Sequence, residues 1–288
     1  MILNYVTWNV DPIIFKVGSV RVGWYGLLLA GGFALAYLVF QKIAKNEKVD
    51  PNLIDKFSLL TAVWTIVGLR LGHCLFYQWD YFKDHILEIF IPFAQTDNGW
   101  TFTGFEGLAS HGGTLAIILF VLYFSKKRKM SLLWLLDRLS IFIPITAALV
   151  RCGNLMNSEI IGTATTVTWG FVFMRLNGTP DCCDPRHPTQ IYEALVYFSL
   201  FAYQMWYYFK HTKGHIPAGR SVGTLLTVIF TARFFIEFVK EVQVNFENNM
   251  SLDMGQWLSV PFILLGIFFL YYSFAKKTYP KAMKLGKN

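Results

Sequence analysis

Seven apolar stretches, near residues 23–41, 57–77, 109–125, 139–156, 189–209, 222–240 and 256–275, divide this sequence. Each is about long enough to cross a hydrocarbon core of roughly 30 Å at 1.5 Å of helical rise per residue. Backbone inside lipid must satisfy its own hydrogen bonds, so the stretches are expected to be helices. The predicted fold is an all-α integral membrane protein with seven transmembrane helices, one polytopic domain over 1–288. With 54% hydrophobic, 17% aromatic and 15% charged residues, the chain has too little polar surface to clothe a soluble globule of this size.

Charge sets the expected direction of insertion. Taking loops alternately, one set (42–56, 126–138, 210–220 and the tail from 276) holds 4, 5, 3 and 5 Lys or Arg, 17 of the 26 in the chain. The opposite set holds Lys16, Arg21, Lys83, Arg175, Arg186 and Lys240. The positive-inside rule then predicts a cytoplasmic C-terminus and an N-terminus outside. The net charge of +8 is spread over short connections rather than gathered on one face, which argues against nucleic acid as a partner. Residues 1–20 lack a basic stretch before a short apolar run and lack a small-residue cleavage site, so the mature chain is expected to begin at its own start. Segments 78–108, 163–188 and 241–255, with their Trp, Gly, Pro, Asn and acids, are expected to fold as loops capping the outer mouth. No internal repeat or separate soluble domain is legible.

The three remaining basic residues, Arg70, Arg151 and Arg233, lie inside spans. A charge at the centre of a bilayer costs about 2.5–3.5 kcal/mol or more and commonly marks a functional cavity. Counted from the basic anchor of its own span, each arginine is 13 or 14 residues deep and His111 is 15, about 20–22 Å at helical rise. Tyr25 comes slightly higher. Gluing helices together or snorkelling explains a single such group; three arginines and a histidine at one depth point to an anion site, because guanidinium forks suit phosphate. Glu237, one turn after Arg233, is placed to share its face and hold its guanidinium. Asn157 and Glu159 follow Arg151. Ser110-His111-Gly112-Gly113 opens the third span, where glycines are expected to let a substrate approach and His111 is a candidate to accept a proton, as histidine is the side chain suited to that near neutral pH.

Four cysteines, Cys74, Cys152, Cys182 and Cys183, do not make a disulfide framework, since two lie in apolar segments and two are adjacent. They read first as buried small residues. A metal site at Cys182-Cys183 is disfavoured, because adjacent ligands are geometrically awkward and no second pair exists.

The stretch Arg151-Cys152-Gly153-Asn154-Leu155-Met156-Asn157-Ser158-Glu159-Ile160-Ile161-Gly162 resembles the signature of the prolipoprotein diacylglyceryl transferase family. The resemblance extends over Arg21-Val22-Gly23-Trp24-Tyr25-Gly26, Gly68-Leu69-Arg70-Leu71-Gly72-His73 and Ser110-His111-Gly112-Gly113. It continues through His187-Pro188-Thr189-Gln190-Ile191-Tyr192-Glu193, Arg233 with Glu237, and Met254-Gly255-Gln256. Val150, Leu155 and Lys240 depart from the residues usual in the family, Gly, Phe and Arg, and none is a group assigned to the chemistry.

The resemblance implies an enzyme of the bacterial inner membrane with its site toward the periplasm. It would move diacylglyceryl from phosphatidylglycerol to the lipobox cysteine of a prolipoprotein, forming a thioether and releasing glycerol phosphate. The substrate thiol must become a thiolate, and the departing phosphodiester needs its charge stabilised. His111 is then expected to take or orient the thiol proton, and Arg151 and Arg233 to hold the lipid phosphate. Glu237 and Glu159 would fix the arginines, Asn154 and Asn157 would add amide hydrogen bonds, Gly162 would support the headgroup site, and Tyr25 would close it. Arg70 is placed there by depth alone, with its role open. The displacement needs no cofactor, and no P-loop, dinucleotide fingerprint or H-E-x-x-H stands in the chain. An anionic-lipid-binding transporter or channel is the main alternative, disfavoured by the lack of an inverted repeat. A lipid-binding receptor would use the same arginines without turnover. A metal-dependent phosphatidyl transferase would need an aspartate cluster, which no span has.

Overall fold

Every one of the seven apolar stretches is helical in the computed structural model, which describes residues 5–18, 20–91, 93–96, 99–102, 109–176, 184–241 and 251–282. In chain order the elements are β1 (Val6–Trp8), β2 (Ile13–Val17), β3 (Val20–Gly23), α1 (Trp24–Asn46), α2 (Pro51–Phe76), α3 (Trp79–Phe82), α4 (Ile86–Phe90), β4 (Phe93–Thr96) and β5 (Gly99–Phe102). There follow α5 (Ser110–Lys127), α6 (Leu132–Met156), β6 (Phe171–Phe173), α7 (Thr189–Trp206) with a π-helical turn over Tyr207–His211, α8 (Arg220–Glu237) and α9 (Met254–Lys276).

The chain is mostly helical, in line with the expected helical membrane fold, and the described residues add three short two-stranded sheets: β1 parallel to β6, and the antiparallel pairs β2–β3 and β4–β5. Two helices also begin earlier than the apolar runs suggest. Asp50 caps α2 by accepting from Asn52 N at 3.0 Å, with Pro51 at the first helical position. Likewise α6 starts at Leu132, six residues before the polar pair Asp137-Arg138 has ended. Among the described residues four helices, α1, α2, α6 and α9, are long and apolar enough to cross a membrane, with mean hydropathy 1.6 to 2.0. Helices α5, α7 and α8, of 18 residues and about 27 Å of rise each, fall short because polar and charged residues stand inside them: Lys126 and Lys127 in α5, Gln190 and Glu193 in α7, Arg220, Arg233 and Glu237 in α8.

The chain divides into two compact units, one up to Glu47 together with Leu136–Pro280, the other Lys48–Leu135 with the residues from Lys281. In the first, α1 runs antiparallel along α6. Thr146 Oγ1 donates to Gly32 O at 3.0 Å and Phe40 rests on Phe142 with centroids 5.1 Å apart. Helices α8 and α9 form a hairpin in which Phe230 stacks on Phe262 at 4.4 Å and Gln256 Nε2 donates to Phe234 O at 3.2 Å. Buried residues make up 61% of the apolar window of α6 but only 17% of that of α9, so α6 is enclosed by its neighbours and α9 leaves most of its apolar side chains exposed.

At the Lys- and Arg-rich end of the same unit, buried Asp137 accepts from Gly219 N, Ser221 N and Val222 N at 2.8, 3.0 and 3.1 Å. A carboxylate on α6 thus caps the start of α8, satisfying donors that have no partner within that helix. Its neighbour Arg138 pairs with Glu47 at 2.9 Å, and Glu47 also accepts from Tyr208 OH at 2.7 Å.

In the second unit α2 and α5 approach backbone to backbone. A Cβ at Gly72 would lie 2.7 Å from Gly112 Cα, so only a glycine permits this crossing. Ala109 N donates to Leu69 O at 3.0 Å, and Phe57 packs on Phe120 and Phe124 farther along. Cys74 is buried as expected and Cys152 is half-buried, both as free thiols; Cys182 and Cys183 lie outside the described residues.

Candidate active site

Helix α6 ends at Met156 in a turn that folds its own polar residues back on one another. Ser158 and Ile160 both adopt left-handed backbone, φ 54° and 59°, unusual for side chains of this kind and frequent where a chain is bent for function. The bend sends Glu159 N to Asn154 O at 3.0 Å and sets the Glu159 carboxylate where Asn154 Nδ2 donates at 2.8 Å and Asn157 Nδ2 at 3.2 Å. Buried Asn154 in turn accepts from Arg151 Nη1 at 3.1 Å. Glu159 therefore reaches Arg151 through Asn154, as the second member of a relay.

The direct ion partner of Arg151 comes from another helix. Its Nε pairs with Glu193 of α7, and Glu193 Oε2 also accepts from Tyr197 OH at 3.2 Å. Both the carboxylate and the phenol are buried. Helices α6 and α7 thus bring Arg151, Glu193 and Tyr197 into one polar group, and the half-buried Arg233 of α8 lies within electrostatic range of the Tyr197 hydroxyl. Among the described residues Arg233 makes no hydrogen bond or ion pair of its own. Glu237, expected to hold it, faces Lys240 instead, at 3.4 Å.

From α1, Tyr25 joins the group. A Cβ at Gly153 would lie 2.8 Å from the Tyr25 ring, so the glycine two residues after Arg151 lets α1 press on α6, and Tyr25 is close enough to feel both Glu159 and Arg151. The loop after α6 is fixed on every side. Trp8 Nε1 donates to Leu155 O at 3.0 Å, Gln190 Nε2 to Glu159 O at 2.6 Å, and Thr189 Oγ1 to Ile160 O at 2.9 Å. Gly162 N donates to His187 O at 2.9 Å and its carbonyl accepts from Arg186, which places Gly162 in the scaffold behind the turn. His187 itself contacts Tyr192 OH at 3.1 Å, and its partial burial lowers its pKa below the usual histidine value.

Arg70 and His111 belong to the other unit. Arg70 is buried, donating from Nη2 to Glu88 O at 2.7 Å and from Nε to Ile89 O at 3.3 Å, with its guanidinium 4.9 Å from the Phe82 ring. It fastens the short helices α3 and α4 to α2. His111 lies in the first turn of α5; its side chain lies outside what the structure describes. The space that Gly112 and Gly113 leave is taken by α2, through Gly68, Leu69 and Gly72, rather than left open for a substrate.

Glu193 and Tyr197 are the residues that reasoning on the sequence missed as site members. Glu193 stands in a recognisable segment, but Glu237 lies nearer in sequence to an arginine. The signal available was a carboxylate and a phenol four residues apart within an apolar helix, which share a face.

A sequence model of the family described as prolipoprotein diacylglyceryl transferase matches residues 12–272. The chain is 43% identical to the phosphatidylglycerol--prolipoprotein diacylglyceryl transferase of Bacteroides fragilis, over 96% of this chain and 98% of that protein. It is 38% identical to the protein of that name from Chloroherpeton thalassium, over 94% and 95%, and 32% identical to that of Vibrio cholerae, over 94% of each. Arg151 to Gly162, with Tyr25, Glu193, Tyr197 and Arg233, fall within the matched region, and the chain belongs to the prolipoprotein diacylglyceryl transferase family.

Proposed function

We propose that this protein transfers the diacylglyceryl group of phosphatidylglycerol to the lipobox cysteine thiol of prolipoproteins. The substrate thiolate attacks the glyceryl carbon that bears the phosphodiester, a C–S thioether bond forms as the C–O bond breaks, and glycerol phosphate leaves with the electron pair. The observation that carries this reading is the guanidinium of Arg151, held by Glu193 and Asn154 with Tyr197 beside them, in a chain of this family, with Arg233 of α8 nearby. Arg151 is positioned by Glu193 and Asn154, which leaves part of its donor fork for phosphate. Arg233, without a partner among the described residues, supplies the uncommitted charge for the lipid phosphate and for the leaving group as negative charge grows there.

Asn154, Asn157 and Glu159 set the inner wall of the headgroup site, Tyr25 closes it from α1, and Gly162 and Glu237 belong to its support. His111 takes or orients the thiol proton; that assignment rests on the sequence, as does the place of Arg70 among the supporting residues. No cofactor takes part. The chain acts as a single polytopic domain in the bacterial inner membrane, with seven spans, a periplasmic N-terminus, a cytoplasmic C-terminus and the site toward the periplasm. Both lipid and signal peptide enter sideways between spans.

The test is transfer of labelled diacylglyceryl from phosphatidylglycerol to a synthetic lipobox peptide, with the protein in nanodiscs. The wild type should form the thioether product, and His111→Ala and Arg151→Ala should lose it while remaining folded. No product from well-folded wild type would shift the function to lipid binding or transport.

A further inference from the structure

At the end of the first unit that carries Asp137 and Arg138, a cavity of about 380 Å³ is lined by Tyr207, His211, Thr212, His215, Pro217 and Tyr279. Its volume falls in the range of about 300–1,000 Å³ common for small-molecule sites. One wall is the π-helical turn Tyr207–His211, an irregularity that adds a residue to a helix and is frequent at functional sites. Arg220 stands beside it, its guanidinium 5.7 Å from the Tyr207 ring and 4.4 Å from the Phe274 ring. The Nε of Arg220 is buried with no hydrogen-bond partner, while its guanidinium lies against Tyr207 at the cavity wall.

The chain segments that line the cavity carry charge of one sign. Between Glu193 and Glu237, and again after Asp253, the chain has no Asp or Glu, while Lys210, Lys213, Arg220, Lys276 and Lys277 all fall in these segments. The two carboxylates of this end are committed elsewhere, Asp137 to the start of α8 and Glu47 to Arg138 and Tyr208. Exposed aromatic rings stand beside the cavity, Trp206 with its centroid 5.5 Å from that of His211 and Phe274 against Arg220, exposed by 52% and 62%. Exposed Trp and Tyr beside Lys mark the headgroup level of a bilayer, and basic pockets at the ends of membrane helices take anionic headgroups.

We propose that the cavity between the Tyr207–His211 turn and Tyr279 binds the phosphate headgroup of an anionic phospholipid, at the end of the molecule carrying the excess of Lys and Arg. Arg220 and the two histidines face the phosphate, and Tyr279 with the neighbouring exposed rings holds the glycerol and upper acyl region. The proposal rests on the membrane-spanning reading above but not on the direction of insertion. It describes a lipid that anchors this end rather than one that reacts.

The experiment is native mass spectrometry of the full chain in an uncharged detergent, titrated with dioctanoyl phosphatidylglycerol. Wild type is compared with Arg220→Gln and with His215→Trp, which fills the cavity from its exposed side. Each variant should bind one lipid fewer, or bind it at least about tenfold more weakly, about 1.4 kcal/mol, while peptide lipidation in the assay above stays unchanged. Should Arg220→Gln fail to fold, His215→Trp decides. Unchanged lipid stoichiometry in a folded variant would overturn the proposal, as would equal occupancy by dioctanoyl phosphatidylcholine. Displacement by millimolar inorganic phosphate alone would assign the site to a soluble phosphate and overturn the lipid. Loss of peptide lipidation by wild type with the lipid count intact would instead strike the transferase reading and leave this one standing.

Discussion

Arg151 is gripped at two nitrogens by two different helices' worth of polar groups, Glu193 at Nε and Asn154 at Nη1, and this division tells what each substitution should do. Glu193→Gln removes the carboxylate while keeping the shape, leaving a mostly buried guanidinium without its ion partner. Breaking a buried pair from one side is expected to cost about 3–5 kcal/mol, so the variant should melt lower and turn over more slowly. Arg151→Lys keeps the charge but cannot hold Glu193 and Asn154 and still present a planar fork to phosphate. The kcat/KM for the lipobox peptide should fall by orders of magnitude, and near-normal turnover would count against bidentate phosphate binding at this residue. For Arg233, with no partner among the described residues, replacement by Gln should leave thermal stability close to wild type while transfer is lost, separating a charge used on substrate from one used on the fold.

Elements meet here through single polar or small residues, and those are what the sequence conceals. The apolar run of each helix is legible from hydropathy alone, since lipid forces backbone hydrogen bonds to close within the segment. The start of α2 is hidden because Asp50 and Pro51 are polar or helix-breaking residues used as a cap, and the start of α6 because Asp137 and Arg138 interrupt its hydropathy. Pairing of β1 with β6 joins Val6 to Phe171, a separation no local pattern announces. At the site, Arg151, Asn154 and Glu159 were readable because they lie within a turn or two of one another; Glu193 was not, because its partner sits on another helix. Asp137 offers the clearest test at this scale. Asp137→Ala would strand the amides of Gly219, Ser221 and Val222, at about 1–3 kcal/mol for each buried donor left unmade. Melting in detergent should fall by many degrees, while lipidation per folded molecule stays as in wild type; a specific loss of activity without a loss of stability would mean that this end of α8 takes part in turnover.

On the scale of the whole molecule, helix length, hydropathy and charge together predict how many helices cross and in which direction. Among the described residues four satisfy length and hydropathy outright, whereas α5 and α8 give about 27 Å each, slightly under a hydrocarbon core of roughly 30 Å. A shortfall of this size is met by local thinning and by lysines reaching to the interface, and Lys126 and Lys127 stand in the last turn of α5 to do so. Seven crossings with 17 basic residues on one side predict that the connections alternate. In a variant whose four cysteines are replaced, single cysteines at Lys83, Lys129, Lys213 and Glu241 sample the connections after α2, α5, α7 and α8. A membrane-impermeant maleimide added to intact spheroplasts should label positions 83 and 241, and label 129 and 213 only after lysis. Labelling of 83 and 129 on the same side would mean that α5 does not cross; labelling of 129 and 213 from outside, with 83 and 241 protected, would keep seven spans but invert them. Inversion would place Arg151 and Arg233 toward the cytoplasm, where a precursor emerging from the secretion machinery does not present its cysteine.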